Sequence, residues 1–126
     1  MRSLMLIAAA LVAGSSCSRP VTPQGSVLAQ QLAGRVAGTP QACGSSLPNQ
    51  NLRIIDQSTL AYGDGRTIYV NHLPGVCSGL EPLNTLIIDA QSGHYCRGDR
   101  VRPLEVGSII PAAPCNLGDW VPYRMP

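Results

Sequence analysis

Cysteines constrain the fold of this chain more than any other feature, because it contains five of them in 126 residues. One lies near the start, at Cys17, and the others are spread along the rest of the sequence: Cys43, Cys77, Cys96 and Cys115. In a small exported domain an even number of cysteines indicates disulfides, whereas cytoplasmic cysteines stay reduced. What these cysteines do therefore depends on the compartment in which the chain folds.

Residues 1–16 have the pattern of a signal peptide. Arg2 gives a positive start, residues 4–12 are apolar, and the small residues 13–16 follow. The apolar run stops after roughly ten residues, whereas a transmembrane helix needs about 20. We therefore expect export from a bacterial cytoplasm.

Cys17 follows these small residues directly, at the position of the acylated cysteine in a bacterial lipoprotein. The match is imperfect, because Gly14 stands where such signals carry Leu or a similar residue. Cleavage after Ser15 or Ser16 without lipidation is the alternative. Cysteine parity favours lipidation at Cys17, since removing it leaves an even number. We expect a lipoprotein that is periplasmic or associated with the outer membrane, with the membrane contacted only through this anchor.

The four remaining cysteines are expected to form two disulfides, for which three pairings exist. We favour Cys77 with Cys96, because these two flank one strand-like segment. Cys43 would then pair with Cys115 and tie the two ends of the domain together.

The mature chain is expected to begin with a tether and continue as one domain. Residues 17–25 are polar and interrupted by prolines, which is typical of a flexible linker. Residues 26–126 form the domain. Its first apolar residues recur at helical spacing and predict a helix over 27–37, ended by Gly38-Thr39-Pro40.

Strand signals follow Cys43. Residues 59–62 and 66–71 read as a hairpin joined by Gly63-Asp64-Gly65. Residues 85–90 carry the apolar run Leu86-Ile87-Ile88, which we read as a buried central strand. Weaker strands near residues 100–106 and 108–110 contain or precede a proline, which favours sheet edges.

These elements predict a mainly β fold. We expect a small antiparallel sheet or partly open barrel of about five strands with one short N-terminal helix, stapled by disulfides. The closing segment 117–123 is expected to pack over the sheet near Cys115.

Composition argues against a nucleic-acid partner. Charged residues make up 13% of the chain, and the formal net charge is only +2. Proteins that bind nucleic acid through phosphate contacts carry a stronger basic footprint.

Several short motifs occur together along the chain: Ala37-Gly38-Thr39-Pro40 before Cys43, Ile55-Asp56, Tyr69-Val70-Asn71 with Leu73-Pro74 and Cys77, Cys96-Arg97-Gly98-Asp99, and Cys115 to Tyr123. As a set they resemble a family of small exported proteobacterial proteins of unknown function. The resemblance implies export and a cysteine-rich β structure. It implies no activity.

A metal site is the first candidate for chemistry. His72, Cys77, His94 and Cys96 offer two imidazoles and two thiols, but without the close paired spacing of zinc knuckles. Disulfide formation competes for the same sulfurs. A small periplasmic enzyme or metal-handling protein using His72, His94 and Asp99 is therefore the alternative function.

Two further patterns have structural explanations. Arg97-Gly98-Asp99 is a tripeptide read by integrins, yet after Cys96 it fits a tight turn with Gly98 at positive φ. Four of the five aromatic residues fit a stacking surface for glycan or peptide, and equally a small core or its rim. They are Tyr62, Tyr69, Trp120 and Tyr123.

The sequence thus favours a non-catalytic envelope protein with a binding or structural role, without a cofactor or bound metal. Its expected partner is another envelope protein or a glycan, contacted through strand edges or a polar face.

Overall fold

A computed structural model describes residues 14, 24–44, 52–63 and 65–126. The predicted signal peptide, apart from Gly14, and the lipidation candidate Cys17 lie outside the described residues, as does most of the expected tether. Within the described part the fold is mainly β, as predicted, with eight strands in two antiparallel sheets and one short helix. Neither sheet closes into a barrel.

The larger sheet has five strands in the order β1-β8-β4-β3-β2. They are β1 (Val36–Ala37), β2 (Arg53–Asp56), β3 (Thr59–Tyr62), β4 (Thr67–His72) and β8 (Trp120–Arg124). The smaller sheet has three strands in the order β5-β6-β7. They are β5 (Thr85–Asp89), β6 (Arg100–Leu104) and β7 (Cys115–Asn116).

The hairpin of β3 and β4 is confirmed, and its alternation explains the layered core. Ile68 and Val70 of β4 pack in one buried cluster with Leu28 of the helix. Tyr69, on the opposite face, packs on a second cluster that reaches Val101 of the smaller sheet. The larger sheet is therefore covered on one face by the helix and on the other by the smaller sheet.

The helix, α1, spans Gln24–Leu32, so the predicted range 27–37 is wrong at both ends. It starts inside the segment assigned to the tether. It stops because Gly34 has a φ of +75°, a left-handed conformation that ends helices and favours glycine. Val36 and Ala37 then pair with β8 instead of continuing the helix.

Three strand predictions are also wrong. β5 is an edge strand of the smaller sheet, because it pairs only with β6 and only two of its residues pack on the core. Ser108–Ile110 forms no strand. β6 is a central strand despite Pro103, whose carbonyl accepts the amide of Ala112 at 2.8 Å. The nitrogen and the carbonyl of one residue point to the same side of a strand, and the Pro103 carbonyl points towards Ala112. The nitrogen of Pro103 therefore faces away from β5, so its missing N–H removes no hydrogen bond between β6 and β5.

The closing segment does not lie over the sheet, as expected, but enters it. β8 pairs with β1 on one side and with β4 on the other. Its first residue, Trp120, is fully buried between the sheets, where Tyr62 packs edge-on against it at 4.8 Å between ring centroids. The Trp120 Nε1–H donates to the Tyr95 carbonyl at 2.8 Å.

The structure contains two disulfides, as predicted, but the expected pairing is wrong. Cys43 bonds to Cys96, and Cys77 bonds to Cys115. An isolated antiparallel bridge pairs the backbones of Cys43 and Cys96 and so brings these two sulfurs together. The two disulfides indicate folding in an oxidising, exported environment.

Candidate functional site

The outer face of the smaller sheet carries the charged side chains of the candidate site. Val101 and Pro103 of β6 are buried towards the core. Because side chains alternate along a strand, Arg100 and Arg102 lie on the opposite, outer face. The register with β5 places Asp89 directly across from Arg100.

Arg102 is held on this face by Asp89. Its Nη2 atom lies 3.3 Å from each carboxylate oxygen of Asp89, and both side chains are about 40% exposed. A pair this exposed contributes little to stability, at most about 1 kcal/mol. The Nε atom of Arg102 is buried and has no hydrogen-bond partner among the described residues. The pair therefore positions the guanidinium more than it stabilises the fold.

Arg100 is the unpaired charge of this face. Its side chain is exposed, and within the described ranges no residue forms an ion pair with it. It is nevertheless anchored, because its backbone belongs to the central strand and pairs with Asp89 on one side and Asn116 on the other. The structure thus presents a guanidinium from a fixed backbone position.

An apolar segment forms the wall of a groove beside these charges. The groove has a volume of about 580 Å³ and is lined by Asp89, Arg100, Arg102 and the segment Pro111–Pro114. The hydrogen bond from Ala112 to Pro103 fixes this segment along β6. The volume of the groove falls within the range of sites that bind small ligands.

A second cavity shares Asp89 and Arg100 with the groove. It has a volume of about 460 Å³ and is lined by Asp89, Gln91, Gly98, Asp99 and Arg100. Asp99 is buried, and its Oδ2 accepts the Cys96 amide at 2.8 Å. The carboxylate of Asp99 therefore serves the turn that it closes.

The metal site considered from the sequence is not assembled. Cys77 and Cys96 belong to different disulfides and have no thiol to offer. His72 and His94 are exposed, whereas Asp99 is buried. Across the described part of the chain, no three His, Cys, Asp or Glu residues are grouped so that they could hold a metal ion.

Arg97-Gly98-Asp99 forms the expected turn, with Gly98 at a φ of +89°. Arg97 pairs with Asp119 at 2.9 Å, and Asp99 is turned inward. An adhesion receptor needs both side chains exposed and free, so this turn does not present the tripeptide as a ligand.

The aromatic residues belong to the core and its rim. Tyr62 and Trp120 are buried, Tyr69 stacks on Tyr62 at 4.8 Å, and Tyr123 packs on the cluster beside the helix. They offer no aromatic platform at the surface.

Sequence reasoning missed Arg100 and Arg102. A signal was present, because the alternation Arg100-Val101-Arg102-Pro103 places both arginines on one face of any strand formed there. The assignment of this segment to a weak edge strand concealed it.

The fold and the groove define a disulfide-stapled, mainly β domain with a charged concave surface. No protein-family profile, curated protein or solved structure matches the chain. No helix among the described residues is both long enough and apolar enough to cross a membrane.

Proposed function

We propose that this chain is a non-catalytic exported protein of the bacterial envelope, anchored by an acyl group on Cys17. Its domain binds another envelope component, a protein or a glycan, through the outer face of the smaller sheet. Membership of the family of small exported proteobacterial proteins is part of this proposal.

The groove beside Arg100 and Arg102 is the observation that carries the proposal. Core packing explains the inner face of β6, but it does not explain two arginines on the outer face. Exposed arginines beside an apolar wall are typical of surfaces that bind partners, where arginine is enriched. The two disulfides support export and fix the small sheet to the larger one.

The anchor is tested by fractionation and intact mass. The full chain is produced in a bacterial host with and without Cys17→Ser, which removes the sulfur that accepts the acyl chain. We expect the unchanged protein in the membrane fraction, beginning at Cys17 with added acyl mass. We expect the variant to be soluble, and an unchanged protein that is soluble and unacylated would contradict the anchor.

The binding face is tested by crosslinking in cells. A photoreactive amino acid replaces Ile87, which pairs with Arg102 across the smaller sheet. In a matched control it replaces Arg66, which lies in the exposed β3–β4 turn. We expect a discrete adduct from position 87 alone, lost when Arg100→Gln and Arg102→Gln are introduced. Equal labelling at both positions, or an adduct that survives the double change, would contradict this binding face.

A further inference from the structure

We infer that the groove is a carboxylate-binding site that takes the carboxyl end of a short peptide, and this inference rests on the proposed function. The Arg100 guanidinium would bind the carboxylate, and Pro111–Pro114 would contact the residues that precede it. The inference adds a ligand class to the proposed binding face.

The charged residues that line the groove do not balance. Two of its lining residues are positive, Arg100 and Arg102, and one is negative, Asp89. Since Asp89 pairs with Arg102, their charges offset one another. One positive charge, that of Arg100, is left over. A ligand with a single negative charge therefore matches the groove.

The geometry of an arginine side chain suits a carboxylate ligand. A guanidinium presents its N–H groups in a planar fork that fits the two oxygens of a carboxylate. Arg102 contacts Asp89 through Nη2, and its Nη1 donates to no residue in the described ranges. Arg102 is two residues from Arg100 on the same face, so its Nη1 is available as a further donor to the ligand.

The charges of the groove disfavour dianions. Asp89 lies directly opposite Arg100 in the register. Arg102 offsets Asp89 and leaves one positive charge, that of Arg100, so the second negative charge of a phosphate monoester would have no positive partner and would lie close to the Asp89 carboxylate. A carboxylate carries one negative charge, which Arg100 alone can balance. Asp89 thus sets specificity while it positions Arg102.

The wall of the groove is apolar. Residues 111–114 are two prolines and two alanines without a charged side chain, and they run beside β6. A surface of this kind contacts aliphatic side chains and peptide backbone. A cavity of about 580 Å³ accommodates a short peptide end.

The test uses N-acetyl-Ala-Ala as the free acid, its C-terminal amide, and inorganic phosphate. Each is titrated into the folded, disulfide-bonded domain and followed by the amide resonances of ¹⁵N-labelled protein. We expect the acid to shift resonances of Arg100, Arg102 and Ala112, with at least tenfold weaker binding of the amide and of phosphate.

Three variants accompany the titration. Arg100→Gln is expected to weaken binding of the acid at least tenfold, whereas Arg66→Gln, which removes the same charge from the β3–β4 turn, leaves it unchanged. Asp89→Asn is expected to raise the affinity for phosphate relative to the acid. Urea unfolding checks that each variant is folded. We expect the urea midpoints of the two arginine variants to match that of the unchanged protein, because Arg100 and Arg66 are exposed.

Equal binding of acid and amide would overturn the inference, as would equal losses in Arg100→Gln and Arg66→Gln. Tighter binding of phosphate than of the acid would overturn the carboxylate assignment. An adduct at position 87 that depends on the arginines, without binding of the acid, would leave the binding face standing and refute only its ligand. Absence of both would refute both.

Discussion

Asn71 offers the sharpest test of how the two sheets are joined. Its side chain, in β4, is fully buried and donates from Nδ2 to the Gly118 carbonyl at 2.8 Å. The Gly118 amide donates to Oδ1 at 2.9 Å. A Cβ on Gly118 would overlap the backbone carbonyl of His72, so only glycine allows this approach. Asn71 therefore fixes the turn that leads into β8.

We expect Asn71→Ala to lower the free energy of unfolding by about 3 kcal/mol, because each buried backbone group left without a partner costs about 1–3 kcal/mol. The matched control is Asn84→Ala. Asn84 makes one half-buried hydrogen bond, to the Gly79 carbonyl at 2.8 Å. Its loss should cost about 1 kcal/mol.

Urea unfolding followed by the fluorescence of Trp120 measures both variants, because Trp120 is the single tryptophan of the chain and is buried. Equal slopes of free energy against urea would show that the unfolded states are comparable. If Asn71→Ala costs no more than Asn84→Ala, the paired hydrogen bonds to Gly118 do not join the turn to the sheet, and the reasoning fails.

Three further changes test the core and the chain connections. Replacing Cys77 and Cys115 together by Ala should lower the free energy of unfolding by about 4 kcal/mol, since the bond closes a loop with a sequence separation of 38. An unchanged urea midpoint relative to the oxidised protein would argue against this pairing. Gly34→Ala should cost about 1 kcal/mol, because alanine is strained at positive φ, and an unaltered melting temperature would place the helix end elsewhere. Trp120→Phe should cost about 2–4 kcal/mol through lost volume and an unpaired Tyr95 carbonyl. Circular dichroism during thermal unfolding measures this loss of stability. A loss smaller than that caused by Asn84→Ala would contradict the buried position of the indole.

Local patterns predicted the parts of the fold that depend on local physics. The hairpin of β3 and β4 follows from period-two alternation and a glycine turn, both readable over about a dozen residues. The mainly β class follows from the same kind of evidence, whereas the presence of two disulfides follows from the even number of cysteines after Cys17.

Long-range pairing was beyond the sequence. Nothing in residues 120–124 shows that they insert between β1 and β4, because an apolar alternating segment fits an edge, a central strand or a packed loop equally well. The disulfides fail for the same reason: their partners depend on which strands meet. Once Cys43 pairs as an isolated bridge with Cys96, the sulfur of Cys77 is left for Cys115.

The same long-range arrangement gives the groove its form. β6 alternates between the core and the surface, so burial of Val101 and Pro103 sets the outward direction of Arg100 and Arg102. Cys115, in β7, pairs with Val101 of β6. It is also bonded to Cys77, which lies fully buried between the sheets. The core and the disulfide thus hold the backbone from which the arginines project. Because little reorganisation is then needed when a ligand arrives, a small domain with few aromatic residues still offers a preorganised charged site.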